Sequence, residues 1–106
     1  STPLSVGVGT GTRVPTFLGT IGPNPFRNST DVAFSLSRAG RVDVVVFDVL
    51  GRQVRALSRG RWFEAGPQNL RWDGRDEGGR DAVAGVYFVR MKSEAGQWSR
   101  SVVRVR

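Results

Sequence analysis

An acidic cluster between residues 73 and 81 is the densest group of side chains that could carry out chemistry. It consists of Asp73, Asp76, Glu77 and Asp81. A calcium loop needs oxygen ligands at alternating positions around a glycine, yet the third position counted from Asp73 is Arg75. Arg75 and Arg80 would also repel a cation. We therefore interpret these acids as turn formers in a solvated β-hairpin, and we expect neither a metal nor a cofactor.

Catalytic side chains of the common types are scarce. The chain contains no cysteine and no histidine, which removes thiolate and imidazole nucleophiles, bases and metal ligands. Lys92 is its only lysine, and it lies in a strand-like run. Asp48 and Asp73, the best candidates for a carboxylate pair, are each followed by a glycine turn, which predicts a role in turns. The sequence therefore predicts a protein that is not an enzyme.

The charge of the chain is strongly basic. Sixteen basic residues oppose nine acidic ones, giving a formal net charge of +7. A functional interpretation is binding to anionic polymers. The residues best suited to it are Arg59, Arg61, Trp62 and Phe63, where cationic and aromatic groups meet in a predicted loop. Because the arginines are otherwise scattered from Arg13 to Arg106, we favour a solvated basic surface and do not expect nucleic acid as a partner.

Short apolar runs separated by glycine turns dominate the chain from residue 23 onward. Period-two alternation and β-branched residues predict about seven strands, and no long segment has helical periodicity. Residues 58–67 are predicted to be a loop. The predicted core consists of Val32, Phe34, Leu36, Val44, Val46, Leu70, Trp72, Val86 and Phe88. These features predict an all-β fold, an immunoglobulin-like antiparallel sandwich in which Tyr87 packs inside and its hydroxyl binds a backbone group.

Four sequence blocks carry a resemblance to a known family. They are Pro23-Asn24-Pro25-Phe26, the run VVVFDVLGRQV at 44–54, Trp72-Asp73-Gly74-Arg75-Asp76, and the run GVYFVR at 85–90. In order and spacing, residues 23–106 resemble the immunoglobulin-like module of the flagellar hook-capping family and of C-terminal sorting domains of the type IX secretion system. The resemblance implies a secreted, non-catalytic sandwich at the outer surface of a bacterial cell. It also implies a secretion or cell-surface component as partner, and it leaves open a sorting domain detached from its cargo.

Residues 1–22 differ from the rest and are predicted to form an extended segment or a linker before the sandwich of residues 23–106. Every even position in the middle of this segment is β-branched or apolar. These positions are Val6, Val8, Thr10, Thr12, Val14, Thr16 and Leu18. The facing odd positions 7, 9 and 11 are glycine, whereas Pro15 suits only an edge or a bulge. The alternation predicts a strand that adds to the sheet edge of a partner, possible partners including other copies of the chain.

Self-assembly into a filament follows from this hypothesis, because a contact between a tail and a different surface repeats head to tail. A flexible linker is the alternative interpretation of the same residues. The longest uncharged stretch, residues 14–26, contains three prolines and is too short to span a membrane.

Overall fold

The computed structural model describes residues 15–106, and its regular elements are all strands. Seven strands follow one another: β1 Phe17–Gly22, β2 Thr30–Leu36, β3 Gly40–Phe47, β4 Gln53–Phe63, β5 Gly66–Trp72, β6 Gly85–Ser93 and β7 Gly96–Arg104. In the described part of the chain there is no helix long and apolar enough to cross a membrane.

The strands form two antiparallel sheets that pack face to face. One sheet has the order β1-β2-β5 and the other has the order β4-β3-β6-β7. Strand β3 lies between β4 and β6, and β-branched valines suit this position on both of its faces. Val44 and Val46 are fully buried between the sheets, and Val45 on the opposite face is 5% exposed. The predicted all-β sandwich of about seven strands is confirmed.

Aromatic rings fill the space between the sheets. Trp72 is fully buried and meets Phe26 and Tyr87 edge to face, at centroid distances of 5.3 and 5.2 Å. Val32, Phe34, Leu36, Val44 and Val46 are buried as predicted, and Leu70 packs at the margin of the core. The hydroxyl of Tyr87 donates a 2.5 Å hydrogen bond to the carbonyl of Val83, which confirms its predicted backbone contact.

The predicted core positions on β6 are wrong. Val86 and Phe88 are 41% and 39% exposed, whereas Tyr87, Val89 and Met91 point inward. The run is apolar on both faces, so its alternation does not distinguish the buried face, and an error of one residue exchanges every side chain. Phe88 is the register partner of Phe47 on β3. The guanidinium of Arg90 lies over the Phe47 ring, 4.6 Å from its centroid.

The loop predicted for residues 58–67 is also wrong, because β4 continues to Phe63 and β5 begins at Gly66. Gly60 has a φ of +65°, and the β3–β4 register is irregular between Val42 and Val44. A glycine within a polar run resembles a loop in sequence, but here it forms an irregularity inside a long strand.

Strand β1 lies before the domain boundary predicted at Pro23, yet it packs as part of the sandwich. Strand β1 pairs with β2, and Leu18 and Ile21 are 2% and 8% exposed within the common core. Composition did not distinguish β1 from the residues before it, because residues 1–22 taken together are rich in glycine and threonine, as linkers are. The sandwich therefore includes residues that the composition assigns to the segment preceding it.

Candidate interaction edge of the four-stranded sheet

Surface strand edges are candidates for partner binding, because they carry backbone N–H and C=O groups that can pair with another chain. Strands β4 and β7 form the edges of the four-stranded sheet, and β1 and β5 form those of the other. The four edges differ in how far the domain itself occupies them.

The loop that follows β5 covers the edge of β4. The amide of Glu77 donates to the carbonyl of Val54 at 2.9 Å, and the Glu77 carboxylate accepts the amide of Ala56 at 2.8 Å. The Asp73 carboxylate accepts Nη1 of Arg55 at 3.0 Å. The two bonds made by Glu77 occupy backbone groups of β4 that a partner strand would need.

Further along β4, side chains of β3 hold an irregular backbone. The Asp43 carboxylate accepts the amide of Gly60 at 2.6 Å, and Arg41 donates to the Gly60 carbonyl at 3.0 Å. The pairing of β3 with β4 shifts register at three places. An irregular strand is a poor template for an added strand, so β4 is protected along its length.

The C-terminal half of β7 is covered by the chain that follows β1. The amide of Val103 donates to Oδ1 of Asn24 at 2.9 Å, and its carbonyl accepts the amide of Phe26 at 2.9 Å. The amide of Val105 donates to the Phe26 carbonyl at 2.8 Å. Val103 therefore directs its backbone groups away from β6, toward the sheet edge.

The N-terminal half of β7 is regular and open. The β6–β7 register continues without a shift from Gly85–Arg104 to Ser93–Gly96. Since antiparallel pairs alternate, Gln97, Ser99 and Ser101 direct their backbone groups outward like Val103. No residue within 15–106 forms a hydrogen bond with these outward groups.

A groove of about 480 Å³ runs beside this half of β7, toward β1. It is lined by Thr20, Ile21, Asn24, Ser99, Arg100 and Ser101. The Arg100 guanidinium crosses the gap between the sheets and donates through Nε to the Leu18 carbonyl at 2.9 Å. The edge therefore has both outward backbone groups and space for side chains beside it.

The two edges of the three-stranded sheet are less suited to strand addition. Strand β1 has six residues, and its register breaks between Leu18 and Ile21. Strand β5 has seven residues and contains Pro67, which has no N–H to donate.

Two of the residues predicted to contact a partner strand belong to the domain itself. Leu18 is buried in its core, and Oγ1 of Thr16 accepts the amide of Ser37 at 2.9 Å. The remaining predicted contacts, Val6, Val8, Thr10, Thr12 and Val14, lie outside the described residues.

The four residues predicted to form a basic and aromatic surface do not form one. Phe63 is 7% exposed and meets Phe34 edge to face at 5.1 Å, with the Arg61 guanidinium 5.0 Å from its centroid. Trp62, 58% exposed, projects from the opposite face of β4, and Arg59 is exposed. Alternation along a strand separates neighbouring side chains that a loop could have brought together.

Sequence reasoning missed the groove beside Trp62. This groove of about 640 Å³ is lined mainly by residues of β3 and β6, including Arg41, Asp43 and Lys92, and also by Glu94 of the β6–β7 turn. Arg41 pairs with Trp62 and Asp43 pairs with Lys92. Alternation along β3 places Arg41 and Asp43 on one face. Placing Trp62 beside them requires the β3–β4 register, which cannot be inferred from the sequence because of the irregularity at Gly60.

Asp73 and Asp76 act in turns, as predicted, but the predicted β-hairpin is wrong, because β5 and β6 belong to different sheets and Glu77 binds the edge of β4. Asp73 accepts the Arg75 amide at 3.0 Å, and Asp76 accepts the Gly78 amide at 2.9 Å. Hydrogen bonds from Arg52, with a further one from the Leu50 amide, hold the pKa of Asp48 below its ordinary value of 3.8. Burial raises the pKa of Tyr87. Within residues 15–106, no three acidic side chains cluster as metal ligands.

Several solved structures have the same fold. Latent dimeric PorU from Porphyromonas gingivalis matches 91% of this chain with a TM-score of 0.67 at 22% identity, although the match covers only 10% of PorU. PorZ, a surface component of the type IX secretion system of that species, matches 82% at 18% identity and a TM-score of 0.57, over 11% of its length. The chain thus spans about a tenth of these two proteins.

Two FlgD proteins are also among the similar structures. FlgD from P. aeruginosa matches 89% of this chain and 74% of its own, with 19% identity and a TM-score of 0.57. FlgD from Xanthomonas campestris matches 76% of this chain and 58% of its own, with 24% identity and a TM-score of 0.52. No curated protein matches the sequence. The sequence of residues 24–97 matches the FlgD Ig-like domain, which confirms the resemblance, and the chain therefore belongs to the FlgD Ig-like domain family.

Proposed function

We propose that this domain is a non-catalytic structural module, secreted or held at the outer surface of a bacterial cell, that works by strand addition. The regular open edge of β7, with outward backbone groups at Gln97, Ser99 and Ser101, is the observation that carries the proposal. Backbone hydrogen bonds supply affinity in strand addition, and pockets for alternate side chains supply specificity.

The donor is the segment of residues 6–14. Val6, Val8, Thr10, Thr12 and Val14 form one β-branched face, and the glycines at 7, 9 and 11 leave the other face bare. Thr16 and Leu18 drop out of the donor because the domain's own hydrogen bonds and core hold them.

The partners in this proposal are other copies of the chain or a component of a secretion or surface assembly. Membership of the FlgD Ig-like family supports this class of partner, as does the fold shared with a hook-capping protein and with a surface component of the type IX system. When the partner is another copy, donor and acceptor are different surfaces, so the contact repeats head to tail and extends into a filament.

A sorting domain for type IX secretion is the second candidate function. The observation that favours it is the fold shared with PorU and PorZ, in each of which the matched region is about a tenth of the chain. In that case residues 1–14 join the module to its cargo, and the isolated chain remains a monomer.

Sedimentation velocity of the full chain over a range of concentrations tests the proposal. We expect assembled species whose fraction rises with concentration. The double variant Val8→Pro/Thr10→Pro should be monomeric with an unchanged melting temperature, because proline removes ladder donors. The matched control Val8→Thr/Thr10→Val keeps the β-branched face and the donors, so it should assemble. A full chain that stays monomeric, or a proline variant that assembles normally, would contradict strand addition.

A further inference from the structure

We infer that the acceptor for residues 6–14 is the N-terminal half of β7 in a second copy of this chain. This inference rests on the proposed strand addition and adds the edge, the face and the identity of the partner. The added strand lies beside residues 97–101, in line with residues 24–26, which already pair with the C-terminal half of the same edge.

The choice of β7 follows from comparing the edges. The β4 edge is occupied at Val54 and Ala56 by Glu77 and is irregular at Gly60. The β1 edge is short and breaks its register, and β5 contains Pro67. Residues 97–101 have a continuous register with β6 and outward N–H and C=O groups at alternate positions, which is what an added strand requires.

The groove determines which face of the donor points inward. Ser99, Arg100 and Ser101 all line the groove between β7 and β1. Alternation along β7 directs the Arg100 side chain to the inner face with Val89, and the side chains of Ser99 and Ser101 to the exposed face that includes Phe88. The β-branched even side chains of the donor fit the groove side, against Ile21 and the stem of Arg100. The glycines at 9 and 11 then lie on the exposed face, level with the serines.

The direction of β1 indicates that the donor comes from another copy. The residue numbers of both partners increase together along the contacts between this part of the chain and β7, so β1 runs parallel to β7. The contacts are Leu18 with Arg100, Asn24 with Val103 and Phe26 with Val105. Pro15 therefore lies toward the Gln97 end. Nine extended residues before it span about 30 Å. To pair with β7 of the same copy, residues 6–14 would have to reverse direction at Pro15. To pair with β7 of a second copy, they can continue away from their own domain.

Disulfide trapping between two singly substituted chains tests the edge and the face together. The protein has no cysteine, so each variant carries one thiol. The added strand runs parallel to β7, as residues 24–26 do, so its even-numbered residues bond to the outward groups of β7 and a glycine lies beside Ser99. Neighbouring strands are about 4.8 Å apart, a separation that a disulfide spans. Mixing Gly9→Cys or Gly11→Cys with Ser99→Cys under mild oxidation should give a mixed disulfide dimer, identified by mass.

Two matched controls make the result specific. Thr10→Cys mixed with Ser99→Cys should give no dimer above background, because position 10 faces the groove. Gly9→Cys mixed with Asn69→Cys, on the β5 edge, should also give none. Equal trapping at Asn69, or better trapping at Thr10 than at the glycines, would overturn the inference while strand addition stands.

Failure of the broader proposal has a different signature. If none of the cysteine pairs is trapped and the unsubstituted chain sediments as a monomer, strand addition itself fails. If the chain assembles, is dispersed by Val8→Pro/Thr10→Pro, and yet is not trapped at Ser99, only the assignment of the acceptor is overturned.

Discussion

The two edges of the four-stranded sheet differ in how the domain treats their backbone groups. At β4, the Glu77 carboxylate accepts the Ala56 amide, the Glu77 amide donates to the Val54 carbonyl, and the pairing with β3 is irregular near Gly60. At β7, residues 24–26 cover the second half, and the first half remains regular. Strand edges are usually protected against pairing, so we propose that pairing takes place at the half-edge of β7 that residues 15–106 leave uncovered.

The comparison also explains the use of the acidic cluster. Glu77 holds the covering loop on β4, while Asp73 and Asp76 form the turns of that loop. A group of residues that resembles a metal site in sequence is, in the structure, the means of covering one edge.

The largest effect is expected from Trp72→Ala, because Trp72 joins the core to the loop that covers β4. Its ring is fully buried, and its Nε1 donates to the Arg75 carbonyl at 2.9 Å. Truncating a large aromatic residue in a packed core costs about 3–5 kcal/mol in the free energy of unfolding. Urea denaturation measures this loss. The exposed Trp62→Ala is the control, and equal losses in the two variants would refute the core assignment.

A smaller effect is expected from Glu77→Ala, which uncovers part of the β4 edge. Losing the bond to the Ala56 amide should cost about 0.5–1.5 kcal/mol. Hydrogen exchange at Ala56 should accelerate, whereas exchange at β7 should not change. Glu94→Ala removes an exposed carboxylate of the β6–β7 turn and serves as control. If Ala56 exchanges at the parental rate in the Glu77 variant, the carboxylate does not protect this edge.

The smallest effect concerns Asp48, in the turn that leads into β4. Hydrogen bonds from Arg52 keep its pKa in the folded state below 3.8, so its carboxylate stabilises the fold above that pH. This contribution should disappear as the pH falls from 3.8 through the lower folded-state pKa. The difference in unfolding free energy between the parent and Asp48→Asn should therefore be constant near neutral pH and shrink in acid. A difference that does not change with pH would contradict this role.

The sequence predicted the fold class because its signals are local. Alternation at Val32, Phe34 and Leu36 and valines on both faces of β3 identify strands without knowledge of their neighbours. The prediction placed Val86 and Phe88 in the core because a run that is apolar on both faces does not show which face is buried. It ended β4 too early because Gly60 resembles a turn residue. Strand β1 was missed because pairing with β2, and not composition, makes Phe17–Gly22 a strand.

The candidate edge could be predicted only in part. The donor pattern is visible in residues 6–14, because alternation along one strand is a property of the sequence. The acceptor depends on which backbone groups of β7 point outward and on which of them residues 24–26 already occupy. Both properties arise from pairing between distant segments, which no single stretch of sequence records.

Amide hydrogen exchange at the two edges as a function of protein concentration tests the central claim most directly. Strand addition predicts that the Ser99 and Ser101 amides become more protected as the concentration rises, while Ala56 on β4 does not change. In Val8→Pro/Thr10→Pro, the β7 amides should keep their dilute exchange rates at every concentration. If protection at Ser99 and Ser101 is independent of concentration and the same in both proteins, β7 does not accept a strand from another copy.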